Sequence, residues 1–374
     1  MDKKKLNILY ISPNFYYTCG RSYYFNLLLK YFRRFGHNVV FITNGGDSLE
    51  RLKENNIKYY ILPDLDKKKP SIYLKNIKKI SNIIVDNGIQ IVHSNHRYTE
   101  KIALSAIKRT KKKNVLSVIT VLSILKRRYY IEYKSDILVA VSNAVKDNLE
   151  KIFKVQDSKI KVIPNFADTE ELDNSLDLSM YKYTNVWQDS TTKQLKILSA
   201  GRFHEEKNFE TILKALKIIK TTNENSQIQN INLLLIGEGP EQKKYEKLID
   251  ELNINVKILS PQKSLGGFIR NSDVCILPSI IEPFPNFMLQ CGLFKKPFIG
   301  SNVDGIKELI INEKNGLLFE AGNKSELAEK IILFTKNIKL REKCGENLHK
   351  EIINKYTEKT VIPKIEKLYY EYLK

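Results

Sequence analysis

The sequence predicts an α/β protein of two Rossmann-like lobes, each a parallel sheet flanked by helices. Short apolar runs of strand length alternate with amphipathic stretches of helical period, and they do so in two separate series. Between the series, from about residue 166 to 194, the pattern gives way to an acidic, tyrosine-rich polar stretch that reads as a domain junction. The chain has 374 residues, 42% of them hydrophobic, which is enough to bury two cores.

The first series opens with a strand over 6–11, then a polar loop through Gly20-Arg21 and a helix with Phe25, Leu28, Leu29 and Phe32 on one face. Gly36-His37-Asn38 closes that helix before a strand over 39–43, which makes a β-loop-α-β unit, the building block of parallel sheets. His37, just after the capping glycine, reads as a helix-terminal residue and not a ligand. Strands follow at 59–62 and 89–92 with a helix over 73–86 between them. His93 and His96 then stand at a strand end, where they would line a cleft; with no third ligand nearby they predict no metal site. Strands at 115–121 and 137–141 come next. Ser142-Asn143 is a good N-cap for a helix over 144–153, and residues 161–165 finish the half.

The second series runs through strands at 195–200, 231–236, 256–259, 274–277, 296–300 and 316–319. Helical segments are predicted over 209–219, up to 252 and over 324–335, with a further segment over 265–270 before the strand at 274–277. The last helix, 356–373, carries Val361, Ile365, Leu368, Tyr369 and Tyr372 on one face. Two βαβ series joined by a linker imply two lobes facing a cleft.

The net charge of +20 is unevenly placed: residues 1–165 hold 32 Lys and Arg against 13 Asp and Glu, the remainder 30 against 29. Three segments carry the surplus. Lys67-Lys68-Lys69 leads into the helix bearing Lys75, Lys78 and Lys79. Lys108-Arg109-Thr110-Lys111-Lys112-Lys113 ends another helix, and Lys126-Arg127-Arg128 runs into Tyr129, Tyr130, Tyr133 and Lys134. A basic half calls for an acidic partner, and cations beside tyrosines suit the headgroup level of an anionic membrane. No nucleic-acid recognition motif accompanies them, so nucleic acid is not expected.

Cys19, Cys275, Cys291 and Cys344 are far apart and form no CxxC pair, the usage of reduced thiols in a cytosolic protein. Lys3-Lys4-Lys5 precedes an apolar run too short for a signal peptide, and no apolar stretch reaches the roughly 18 residues of a membrane span. The expectation is a cytoplasmic protein, peripheral on the inner face of the cell membrane.

Two stretches carry the chemistry. Gly201-Arg202 at a strand end, with Lys207 five residues on, makes a phosphate clamp: glycine admits close backbone approach, Arg forks onto two oxygens, and Lys adds a point charge. Gly237-Glu238-Gly239 turns at the end of the neighbouring strand. It is not a GxGxxG fingerprint, and there is no P-loop, which argues against NAD and ATP. The second stretch, from Pro278 to Gly292, sets Glu282, Pro283 and Pro285 between a buried strand and an apolar helix. A carboxylate there lies at the carboxyl end of a parallel strand, where open α/β sheets bind ligands, and the helix N-terminus offers N–H groups to an anion.

Taken in order, Gly201-Arg202-Phe203 with Lys207-Asn208, Ile236-Gly237-Glu238-Gly239-Pro240, the strand from Ser272 to Ser279, Glu282-Pro283-Phe284-Pro285-Asn286 and Asn315-Gly316-Leu317-Leu318 resemble the motifs of the retaining family 4 (group 1) glycosyltransferases of the GT-B superfamily. In the first half, Gly36-His37-Asn38-Val39, Ile91-Val92-His93, Val139-Ala140-Val141-Ser142 and the run from Val162 to Asp168 are similar too. The resemblance implies an acceptor domain over 1–166, completed by a C-terminal helix over 357–374, and a nucleotide-sugar domain over 167–356. It implies transfer from a nucleotide sugar to a hydroxyl of a glycan or lipid-linked acceptor, as in polysaccharide or glycolipid biosynthesis. No metal is implied, and no cofactor beyond a UDP- or GDP-sugar co-substrate. Arg202, Lys207 and Glu282 would be the catalytic set, the two cations on the diphosphate and the carboxylate on the donor sugar. Gly201, Gly237 and Glu238 would border the donor. Backbone groups near Pro285, Asn286 and Phe287 would meet its sugar and phosphate, Gln290 its ribose, and Gly20 its diphosphate.

The chain departs from the family pattern at several of these places. The second of two glutamates eight residues apart is Gln290, a glycine pair in the first loop reads Gly20-Arg21, and another reads Asp304-Gly305. The histidine expected after the strand near residue 118 is absent, with Thr120, Val121 and Leu122 in its place. These departures motivate an alternative: a degenerate GT-B protein that docks on a membrane or polyanion without turnover.

Overall fold

The computed structural model describes residues 4–112, 114–128, 130–174, 187, 195–222 and 231–373. Most of the stretch read as a domain junction, from residue 175 to 194 except Trp187, lies outside the described residues, as do Lys113 and Tyr129 of the basic segments. The chain divides into two compact units, Met1–Asn165 with Glu358–Lys374, and Phe166–Thr357.

The first unit is built on a seven-stranded sheet of β1 (Asn7–Ile11), β2 (Asn38–Thr43), β3 (Lys58–Ile61), β4 (Ile91–Ser94), β5 (Leu116–Val121), β6 (Ile137–Ala140) and β7 (Ile160–Val162). Every pairing is parallel and the spatial order is β3-β2-β1-β4-β5-β6-β7. The crossovers include α1 (Gly20–Arg34), α2 (Glu50–Glu54), α3 (Pro70–Asp86), α4 (Arg97–Thr110) and α5 (Asn143–Lys151). Ser142 caps α5 by accepting from the Val145 N–H, at 3.2 Å. The inner strands β4, β5 and β6 are buried along their whole length, as expected of a parallel sheet covered on both faces. Strand order reverses between β1 and β4, so the loops after Ile11 and Ser94 flank this unit's switch point.

The helix Glu358–Tyr372 belongs to this first unit, and buried polar contacts fasten it there. His37 Nδ1 accepts from the Leu6 N–H at 3.2 Å, which leaves Nε2 to donate to Glu366 at 3.0 Å. His37 is therefore a tether between α1's end and the last helix, a larger role than the helix terminus its sequence position indicates. Tyr369 reaches Tyr10 Oη at 3.2 Å and His93 Nδ1 at 2.5 Å, and His93 Nε2 meets Thr120 Oγ1 at 2.7 Å. His93 is 0% exposed, and burial pulls its pKa from 6.5 down to about 3. It lines no cleft; it is a neutral core residue. A separate helix, Ile338–Lys355, precedes the last one, where the sequence pattern indicated none.

The second unit carries a six-stranded, all-parallel sheet of β8 (Leu195–Ala200), β9 (Ile231–Ile236), β10 (Val256–Leu259), β11 (Val274–Leu277), β12 (Phe298–Ser301) and β13 (Leu317–Phe319). Its order, β10-β9-β8-β11-β12-β13, reverses between β8 and β11. The charge divides along the same boundary. The first unit holds 36 Lys and Arg against 16 Asp and Glu, the second 26 against 26. The whole surplus sits on one unit. No helix of the described residues is long and apolar enough to cross a membrane.

Candidate functional site

In the second unit, the loops after β8 and β11 meet where strand order reverses, the crevice in which open α/β sheets hold ligands. Gly201, Arg202 and Lys207 come from the first loop, and Glu282 from the second. Phe203, at 0% exposure, anchors the first loop by packing edge-on against Phe209 and Tyr245, at centroid distances of 5.5 and 5.6 Å. With Phe203 held inward, its neighbour Arg202 is exposed, and it forms no ion pair among the described residues.

The turn Glu205–Lys207 brings Lys207 back over the strand ends, and Asn208 leaves it in the left-handed region at φ 49°. Lys207 Nζ pairs with Glu282 Oε2. That carboxylate, on a residue 6% exposed, also accepts from Ser279 Oγ at 3.0 Å. The Ile280 N–H donates to the Glu206 carbonyl at 2.8 Å, which ties the two loops together.

Asp304 takes a part its sequence position did not announce. It sits at φ 36° and accepts the Glu282 N–H on Oδ2 at 3.0 Å, while the Gly305 N–H donates to the Glu282 carbonyl at 3.0 Å. Glu282 is thus held by its side chain and by both of its backbone groups. A Cβ at Gly305 would lie 2.0 Å from the Pro283 carbonyl oxygen, so only glycine fits there. Gly237 is under the same constraint: its Cβ would lie 2.0 Å from the Gly201 carbonyl oxygen. Glu238 accepts the Phe203 N–H on its backbone carbonyl at 2.7 Å, which fixes the turn beside Arg202.

Beyond Glu282 the helix Asn286–Leu293 begins with Pro285 as its N-cap, without a side-chain cap or an acidic residue in its first turn. Its amino end is electrostatically open to an anion. Phe287 is buried at 7% exposure and packs near Phe298. Gln290, one turn beyond Asn286, is 8% exposed and donates from Nε2 to both carboxylate oxygens of Glu171, at 3.3 and 3.0 Å. Glu171 is a site neighbour the sequence reading missed, since 119 residues separate it from Gln290 and only the fold pairs them.

The second unit therefore gathers Gly201, Arg202, Lys207, Gly237, Glu238, Glu282, Pro285, Asn286, Phe287 and Gln290 on the loops and helix at its switch point. Gly20 lies in the first unit, where it opens α1 beside that unit's own switch point. There Asn95, at 4% exposure, has neither amide atom hydrogen-bonded among the described residues. Burial, helped by the nearby Arg21 and Arg97, pulls the pKa of its neighbour His96 down to about 4. No group of three or more His, Cys, Asp or Glu among the described residues is placed to hold a metal ion. Chemically, the second unit's site presents an exposed guanidinium, an ammonium aligned by a carboxylate, and an open helix N-terminus. Such an array suits a phosphorylated ligand with hydroxyl groups.

Comparison with known proteins agrees with this architecture. The family model for the glycosyl transferases group 1 matches residues 186–351, and that for glycosyltransferase family 4 matches residues 20–171. The glycosyltransferase MJ1178 of Methanocaldococcus jannaschii is 28% identical over 343 residues, covering 87% of this chain and 88% of its own. The UDP-Gal:alpha-D-GlcNAc-diphosphoundecaprenol alpha-1,3-galactosyltransferase of Escherichia coli is 25% identical over 282 residues, or 75% of this chain and 68% of its own. Among solved structures, Anabaena HepE in complex with UDP-glucose superposes with a TM-score of 0.82 at 15% identity, covering 98% of this chain and 100% of that one. With one family model on each unit, and the motifs gathered at a switch point, the chain belongs to the group 1, family 4 glycosyltransferases and has the GT-B fold.

Proposed function

We propose that the protein transfers a sugar from a UDP- or GDP-sugar to a hydroxyl of a glycan or lipid-linked acceptor with retention of configuration, in the building of a cell-surface polysaccharide or glycolipid. The observation that carries this reading is the Lys207–Glu282 pair beside the exposed Arg202, at the switch point of the second unit. In the transfer the bond from the anomeric carbon to the diphosphate oxygen breaks, the acceptor oxygen takes its place, and the acceptor's proton passes to the departing diphosphate. Negative charge grows on the departing diphosphate, where Arg202 and Lys207 stabilise it without a metal. Glu282 hydrogen-bonds the sugar. Asn95, at the switch point of the first unit, offers a polar lining for an acceptor.

The binding-only alternative is not favoured. Two of the departures that prompted it are built into the site: Asp304 caps the Glu282 N–H, and Gln290 is engaged by Glu171. UDP is the first nucleotide to test, because the Escherichia coli and Anabaena proteins are both named with UDP-sugars.

Thermal-shift measurements with UDP, GDP and ADP and their sugars, in EDTA, test the donor assignment. One nucleotide is expected to raise the unfolding temperature in the wild type, and Arg202→Ala and Lys207→Ala to lose that rise. Equal shifts in wild type and variants would refute the clamp. The one-sided charge supports a further element, peripheral association of the first unit with an anionic membrane. At low salt the protein is expected to sediment with vesicles containing anionic lipid and to be released by 0.5 M salt, where the screening length is only about 4 Å. Equal sedimentation with neutral vesicles would reject it.

A further inference from the structure

One residue beside Glu282 keeps a side chain where the backbone favours glycine. Asp304 sits at φ 36°, in the left-handed region that costs free energy for any residue with a Cβ. Gly305, next to it, does not have a positive φ; it is glycine because it lies against the Pro283 carbonyl. The strain therefore falls on Asp304. Aspartate is best tolerated in that region when its side chain bonds to its own backbone neighbourhood. Here the one hydrogen bond that the side chain makes among the described residues crosses 22 positions, to the Glu282 N–H.

Two other bonds already join these loops. Ser301 Oγ, at the end of β12, donates to the Ser279 carbonyl, and the Gly305 N–H donates to the Glu282 carbonyl at 3.0 Å. What Asp304 adds is control of the peptide group on the other side of Glu282. Each peptide group is planar, so fixing the N–H on one side and the C=O on the other sets φ and ψ of Glu282 and aims its Cβ. From that Cβ the carboxylate reaches Ser279 Oγ at 3.0 Å and Lys207 Nζ. A strained residue persists only where its surroundings hold it, and such residues cluster at functional sites.

We propose that Asp304 is a positioning residue for sugar transfer, whose carboxylate holds the Glu282 peptide so that the Glu282 side chain meets the donor sugar. This rests on the nucleotide-sugar reading of the second unit. Asp304 acts through Glu282 on the sugar half of the donor, so binding of the nucleotide half alone does not depend on it. Glycine at this position relieves the strain but loses the hydrogen bond, which separates a role in stability from a role in the reaction.

The test compares Asp304→Gly, Asp304→Ala and Asp304→Asn in three measurements. These are nucleoside diphosphate release from the best-binding sugar nucleotide, calorimetric titration with UDP (or GDP or ADP if the wild type prefers one of them), and urea unfolding. Asp304→Gly is expected to lower kcat about ten- to hundred-fold, the range for a hydrogen bond to a charged group. It should bind the nucleoside diphosphate within about threefold of wild type. Its urea midpoint should stay near that of wild type, because relief of strain offsets the lost bond. Asp304→Ala should lose as much turnover and unfold at lower urea, since it keeps the strain. Asp304→Asn retains an acceptor oxygen and tolerates the left-handed region, so it should recover most of the turnover. Turnover in Asp304→Gly within about threefold of wild type would overturn the proposal. So would an Asp304→Asn protein as slow as Asp304→Gly, or a loss of nucleotide affinity as large as the loss of turnover. A wild type that releases no nucleoside diphosphate from UDP-, GDP- or ADP-sugars would overturn the donor reading itself, and the proposal with it, before any variant is made.

Discussion

Lys207→Ala is expected to lower kcat/KM by about a hundred- to a thousand-fold, the loss that follows removal of one preorganised charge facing a developing anion. Glu282→Ala should cost as much by another route, because it frees Lys207 and Ser279 together and removes the carboxylate proposed to bind the donor sugar. The two effects should not add. Each variant leaves the other member of a close pair without its counterpart, so the double variant should lose little beyond the worse single one. Stability follows the same logic. Lys207→Ala strands a carboxylate on a residue only 6% exposed, worth about 3 kcal/mol or less given the lysine's partial exposure, and the double variant should recover part of that. The measurement is nucleoside diphosphate release from the best-binding sugar nucleotide, with urea unfolding alongside. Turnover within about threefold of wild type in either single variant would remove Lys207 and Glu282 from the chemistry.

Acid should destabilise the first unit through His93. Its pKa is about 3 in the folded protein against 6.5 for an ordinary histidine, so it is neutral when folded but takes up a proton in the unfolded chain below about pH 6.5. Stability is therefore fully present above pH 6.5 and falls as pH drops from there towards 3. At pH 5 the deficit from this one side chain is about 2 kcal/mol, at about 1.4 kcal/mol per unit. The physical cause is desolvation, since the ring is 0% exposed and hydrogen-bonded to Tyr369 and Thr120, with no carboxylate beside it. His93→Gln keeps a polar side chain of similar reach. It is expected to be less stable at pH 7.5 and yet to lose about 2 kcal/mol less than wild type between pH 7.5 and pH 5. Urea midpoints at the two pH values give the comparison, and parallel losses in the two proteins would show that His93 does not carry the acid sensitivity.

The α/β class and most strands were legible in the sequence because parallel strands buried on both faces are continuous apolar runs, bounded by turn residues. β6 and β11 are of that kind, and β9 is too apart from Asn232. The break between the helices Ile338–Lys355 and Glu358–Tyr372 was not legible. No Gly or Pro marks it, and it falls where the chain passes from the second unit back to the first, a property of tertiary contacts alone. Histidine showed the same limit. His37 and His93 stand at helix and strand ends in the sequence, but both are buried polar links to a helix more than 270 residues away.

By itself, then, the sequence determined the family, the strand-end positions of Arg202, Lys207 and Glu282, and the placing of the surplus charge in the first half. Each of these is written in local pattern: strand period, a glycine where backbones approach, a carboxylate after a buried run. Only the tertiary structure decided which groups complete the site. It set the Asp304 carboxylate under the Glu282 N–H and the Glu171 carboxylate against Gln290. Pairings across 22 and 119 residues follow from how strands and loops converge at a switch point, and no local pattern encodes that convergence.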